Sequence, residues 1–150
     1  MAEYLQLAAD KFTFRVATDR LYSPEGVWLH WQDGNRVRIG LTDFLQQHSG
    51  DVAFLSVKPP GTGLKAGEDF ADIETVKVTQ SIPCPIAGTI LEANQALDVT
   101  PELVNQDPYG GGWLAVVEVT NWEADRAKLL DPSAYLSAMR SQVEQEMQQP

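Results

Sequence analysis

Glycine and proline punctuate this chain between positions 12 and 119, and the apolar residues between them alternate or fall in short blocks. Such a pattern reads mostly as short strands separated by turns. Phe12, Phe14 and Val16 alternate with Lys11, Thr13 and Arg15, the pattern of a half-buried strand. Residues 27–31 and 36–41 pair about Gln32-Asp33-Gly34-Asn35, where Asp-Gly is a strong hairpin signal. Thr42 caps a short helix over 43–47, ended by Gly50. Further strands are expected at 52–57, 70–76, 78–82, 89–93 and 113–119. From Trp122 the period changes to that of a helix: Asp131 is an N-cap, Pro132 suits the first helical position, and Tyr135, Leu136, Met139 and Val143 form one apolar stripe to pack on the sheets. Beyond Val143 the polar tail is expected to fray or project.

The chain has 150 residues, enough for one domain with a real core, and a net charge of −10. A field of that sign argues against nucleic acid and against anionic membrane surfaces as partners. No apolar run approaches a membrane span and no signal peptide is evident, so the expected location is cytoplasmic, or an organelle matrix. The nucleotide-binding, metalloprotease and serine-hydrolase motifs are missing, and two histidines with one cysteine lack zinc-ligand spacing. His30 reads as a strand histidine and His48 as a surface histidine at a helix end. No self-contained active site and no metal site emerge. Cys84, between two prolines, reads as a small buried hydrophobe whose wider role the sequence leaves open.

Two glycine-bearing stretches, Leu64-Lys65-Ala66-Gly67-Glu68-Asp69-Phe70 and Gly88-Thr89-Ile90-Leu91-Glu92-Ala93-Asn94, echo each other about a hairpin whose tip falls at residues 75–78. That tip carries Lys77. An exposed lysine on a rigid turn between packed strands is what a modifying enzyme can reach and what a swinging arm needs.

Here Ile73-Glu74-Thr75-Val76-Lys77, followed by Pro85-Ile86-Ala87-Gly88, resembles the lipoyl/biotinyl attachment hairpin. Val37-Arg38-Ile39-Gly40-Leu41-Thr42-Asp43-Phe44-Leu45-Gln46 and Thr100-Pro101-Glu102-Leu103-Val104-Asn105-Gln106-Asp107-Pro108-Tyr109-Gly110-Gly111-Gly112-Trp113-Leu114 are similar to the glycine cleavage H-protein family. The resemblance covers residues 22 to 137, in order. It implies a mainly β fold, a lipoyl/biotinyl-type barrel-sandwich hybrid of short antiparallel strands, with a short helix near 42–47 and C-terminal helices. One carrier domain then spans 1–150, with a core over about 11–137 and a helical tail over about 123–150. The implied cofactor is lipoate on Lys77, which makes the protein a carrier rather than an enzyme. Glu74, Gly61 and Gly88 match positions that attaching enzymes read, although either glycine is equally explained by turn chemistry.

Several residues depart from the family pattern. Thr75 replaces a serine, Ser81 replaces an acid four residues after the lysine, and Ile82-Pro83-Cys84-Pro85 and Glu25-Gly26-Val27-Trp28 differ from the usual segments. These changes are similar to the lipoate-binding proteins of sulfur-oxidising prokaryotes. That branch implies an arm serving a heterodisulfide-reductase-like complex, with reoxidation by dihydrolipoamide dehydrogenase. The alternative is the glycine cleavage carrier, which moves an aminomethyl group between glycine cleavage enzymes; a further one is an unlipoylated structural or regulatory protein. In each lipoylated case a lipoate-attaching enzyme is a partner and a monomer is expected.

Overall fold

The computed structural model describes residues 3–9 and 12–148. In chain order its elements are β1 (Tyr4–Ala9), β2 (Phe12–Ala17), β3 (Leu21–Tyr22), β4 (Val27–Trp31), β5 (Arg36–Leu41), α1 (Asp43–Ser49), β6 (Val52–Val57), β7 (Gly63–Leu64), β8 (Asp69–Thr75), β9 (Thr79–Pro83), β10 (Gly88–Ala93), α2 (Ala96–Val99), α3 (Leu103–Gln106), β11 (Ala115–Val119), α4 (Trp122–Arg126) and α5 (Pro132–Gln148). The strands pair antiparallel in three sheets: β1-β2, β3-β4-β5-β11-β10-β7, and β6-β8-β9. A mainly β architecture with short helices and a C-terminal helix is thus observed.

The larger core cluster lies where the six-stranded sheet faces β6-β8-β9, and includes Val27, Ile39, Phe70, Ile73, Ile86, Ile90 and Val117. Burying residues of this size stabilises by about 1.5–3 kcal/mol each. The two echoing stretches meet where the edge strand β7 pairs with β10, Leu64 opposite Gly88. An added Cβ at Gly88 would lie 2.2 Å from the Glu118 carbonyl, so β10 can approach β11 only with glycine there.

A second cluster joins parts of the chain that the sequence reading left separate. Leu7, Phe14, Val16, Tyr22, Trp28, Phe44, Tyr109, Tyr135, Met139 and Val143 pack together, so the β1–β2 hairpin, α1 and α5 share one apolar seam. Tyr22 and Tyr135 stack at 4.6 Å between centroids. The expected strand at residue 12 is observed, but its partner β1 was not anticipated, and Lys11 lies outside the described residues. The expectation of a fraying tail is corrected. α5 continues to Gln148, because Val143 is buried and Glu146 lies 2.8 Å from His48. The short helices α2 and α3 were also not foreseen: at four residues each, they are too short to show a period. Among the described residues no helix is long and apolar enough to cross a membrane.

Candidate functional site

The strands β8 and β9 form a hairpin whose turn, Val76-Lys77-Val78, projects from the body with all three residues exposed. Its geometry is fixed by one hydroxyl. Thr75 Oγ1 accepts the backbone N–H of Lys77 at 3.1 Å and of Val78 at 3.0 Å, while it donates to the carbonyl of Ser49 at 2.7 Å. The Thr75 N–H also reaches the Val78 carbonyl at 2.8 Å. Gln80 adds a second tie, its Nε2 donating to Ser49 Oγ at 2.7 Å. The turn is therefore clamped to the C-terminal end of α1.

That end is held in turn. Thr42 Oγ1 caps α1 by accepting Leu45 N–H at 3.1 Å, and Gly50 closes it at φ +92. Asn105 Nδ2 donates to the Gly50 carbonyl and to Gln46 Oε1, both at 3.0 Å, and its Oδ1 accepts Val52 N–H at 2.9 Å. The Lys77 stem lies over Gly50, so a Cβ there would sit 3.5 Å from Lys77 Cδ. Ser49, Asn105 and Gln80 are the site residues that sequence reasoning missed. Asn105 stands within a motif that was noticed, but nothing in a linear motif says which residue it reaches.

Lys77 forms no ion pair among the described residues. It borders a cleft of about 340 Å³ walled by Phe12, Phe14, Phe44, His48, Val143 and Glu146. A larger hollow of about 640 Å³ lies elsewhere, between Leu55, Leu91, Asp98 and Trp113. Glu74 is exposed on β8, opposite Thr79 on one side and Phe54 on the other. Gly61 and Gly88 are brought to each other's neighbourhood rather than to the lysine: Gly61 N–H donates to the Ile90 carbonyl of β10 at 2.7 Å. Gly61 at φ +93 meets nothing within 4 Å, so turn conformation is the local reason for a glycine there.

Cys84 is fully buried and donates to the Ile86 carbonyl at 3.2 Å. Burial pushes its thiol up to about 11, which leaves it protonated and unreactive. His30, between Arg20 and Asp19, titrates below its ordinary value, chiefly through burial and then through the Arg20 charge. His30 lies on β4 of the six-stranded sheet, and Cys84 follows the end of β9 that is remote from the lysine turn.

A clamped hairpin with an exposed lysine at its tip is the shape of an arm-bearing carrier. The sequence profile described as Glycine cleavage H-protein matches residues 20–142. The chain belongs to that family. It is 42% identical over 121 residues to the glycine cleavage system H protein of Chlorobium limicola, covering 80% of this chain and 94% of that one. Against the protein of the same name from Carboxydothermus hydrogenoformans it is 40% identical over 120 residues, covering 80% and 91%. The crystal structure of a glycine cleavage system H protein from Mycobacterium marinum superposes with a TM-score of 0.69 at 29% identity, over 80% of this chain and 95% of that one. H proteins of this family are lipoyl carriers, with lipoate attached covalently to a lysine, and are substrates of their partner enzymes rather than catalysts. In this H protein the profile match omits the β1–β2 hairpin and the last residues of α5, which supply Phe12, Phe14, Val143 and Glu146 to the cleft beside Lys77.

Proposed function

We propose that this chain is the lipoyl carrier of a glycine cleavage system, a monomer in which residues 1–150 form one carrier domain and lipoate is joined to Lys77. The observation that carries the reading is the clamped turn: Lys77 is exposed, free of ion pairs among the described residues, and fixed at the backbone through Thr75 and Ser49. A primary amine on an exposed four-carbon stem fits an amide-linked acyl group. Once deprotonated, Lys77 Nζ bonds to the acyl carbon of an activated lipoyl donor as the donor's leaving group departs and a proton is released. When attached, the dithiolane supplies the redox-active sulfur chemistry that the chain's own residues lack.

The chain's residues do the rest. Thr75 and Gln80 hold the turn to α1 so that the lysine keeps one direction of approach. Glu74 stands on the last strand rung before the tip, where an attaching enzyme meets a fixed carboxylate. Gly61 and Gly88 contribute to recognition through the scaffold behind the hairpin, Gly61 by its turn at positive φ and Gly88 by the close approach of β10 to β11. The partners are then a lipoate-attaching enzyme, the glycine cleavage enzymes and dihydrolipoamide dehydrogenase.

The heterodisulfide-reductase-like partner implied by the sulfur-oxidation reading lacks comparable support, because the relatives described above carry the glycine cleavage name. Ser81, which motivated that reading, is not a site without charge. Its hydroxyl donates to Asp72 Oδ1 at 2.6 Å, so a carboxylate is present on the neighbouring strand. The test supplies fully lipoylated protein to glycine decarboxylase and follows exchange of bicarbonate carbon into glycine. Exchange comparable to that with a known H protein is expected; none, with lipoyl mass confirmed on Lys77, would overturn the glycine assignment.

A further inference from the structure

The outer face of β6-β8-β9 carries a feature that the folded body does not use. Cross-strand register sets Phe54 opposite Glu74 and Glu74 opposite Thr79, and in the next row Ser56 opposite Asp72 and Asp72 opposite Ser81. Leu55, Ile73 and Ala71 point the other way, into the core. Phe54 is thus a phenyl ring on the solvent side of the sheet, 70% exposed. At the tip Val76 is 91% exposed and Val78 41%. Three large apolar side chains therefore flank Lys77 at the surface, beside carboxylates and with no base in residues 66 to 76. Folding gains nothing from an exposed phenyl, and clustered exposure of this kind marks an interaction site.

Geometry limits what can cover it. The path from Lys77 to Glu74 is at most about 11 Å of extended chain, and one strand spacing of about 4.8 Å separates β8 from β6. A standard interface covers about 800 Å² per partner, a disc about 16 Å in radius. A patch of that size centred on Lys77 therefore reaches Phe54.

We infer that Phe54, with Val76 and Val78, is the apolar anchor by which the lipoate-attaching enzyme docks around Lys77. That enzyme presents an apolar depression for the ring with basic side chains opposite Asp72 and Glu74. Asp72 is held for this contact by the Ser81 hydroxyl. The inference rests on the proposed lipoylation of Lys77 and names a specificity-determining residue for it. Phe54 does not touch the reacting amine, so its effect belongs in substrate binding rather than in the acylation step.

The experiment uses the full-length unmodified protein with lipoate-protein ligase, lipoate and ATP, and measures initial rates of lipoyl incorporation by intact mass. Phe54→Ser should raise KM for the carrier about tenfold or more with little change in kcat, while Phe54→Tyr stays near wild type. Acetylation of Lys77 by a small N-hydroxysuccinimide ester should proceed equally in all three proteins, separating docking from lysine reactivity. Thermal midpoints should also agree, since an exposed side chain is changed. A Phe54→Ser KM within twofold of wild type, a loss seen only in kcat, or a lysine less reactive to the small ester would each overturn the inference. So would a wild-type dimer in solution that Phe54→Ser dissociates, because the ring would then serve a second copy. Absence of lipoyl on Lys77 in the wild type would overturn both this inference and the function beneath it, whereas incorporation with unchanged KM removes this one alone.

Discussion

Thr75 and Ser49 are joined by a 2.7 Å hydrogen bond from a side-chain hydroxyl to a backbone carbonyl, and through it the lysine turn is fastened to the end of a helix 26 residues earlier. The same oxygen accepts two N–H groups of the turn, so one small side chain satisfies three backbone groups at once. Thr75→Val leaves those groups without their partner and should destabilise the protein by about 1–3 kcal/mol. Thr75→Ser keeps the hydroxyl and gives up one methyl, about 0.8 kcal/mol. Urea unfolding reads the difference, and equal losses for the two variants would remove the hydroxyl from this role.

Asp72 and Ser81 face each other across β8 and β9. Ser81→Asp sets two carboxylates opposite one another and should lower stability by about 0.2–1 kcal/mol, with Asp72→Ala restoring it in the double variant. A double-mutant cycle with no coupling would show that the two side chains act independently.

Burial pushes the phenols of Tyr22, Tyr109 and Tyr135 up, that of Tyr135 to about 12. An unfolded tyrosine ionises near about pH 10, so in base the unfolded chain releases these protons first. The stabilisation is therefore complete below about pH 10 and is lost as the pH rises through the folded values. The urea midpoint should be level to about pH 9.5 and fall above it, with phenolate absorbance from these three residues developing only as the protein unfolds. Full tyrosine ionisation in a folded protein near pH 10 would contradict the packing.

With the Cys84 thiol at about 11, about one in a thousand is ionised at pH 8. Its side chain is also inaccessible. A disulfide reagent should leave native protein unlabelled at pH 8 and modify one thiol per chain in denaturant. Rapid native labelling would mean that the segment around Pro83 and Pro85 opens.

The legible part of the molecule was local. Period-two alternation located β2, and Asp33-Gly34 located the β4–β5 hairpin, because side-chain alternation and turn chemistry are properties of a few adjacent residues. The strand ends near the lysine were placed one residue long: β8 stops at Thr75 and Val76 is in the turn. β1 escaped notice since only Leu7 of its six residues is buried. The polar tail after Val143 was expected to fray or project, yet His48 gives Glu146 a partner 98 residues away.

The sequence by itself determined that Lys77 would stand on a turn, that α1 would begin at Thr42 and end at Gly50, and that the chain would be built of short antiparallel strands. Only the tertiary structure decided that Ser49 and Asn105 hold that turn, that the two chain ends wall the cleft beside it, and that Phe54 shares a face with Glu74. The reason is physical. Periodicity states which side of an element is apolar, whereas the partner across a sheet or a seam depends on register and topology, and a shift of one residue would turn each of these side chains to the opposite face.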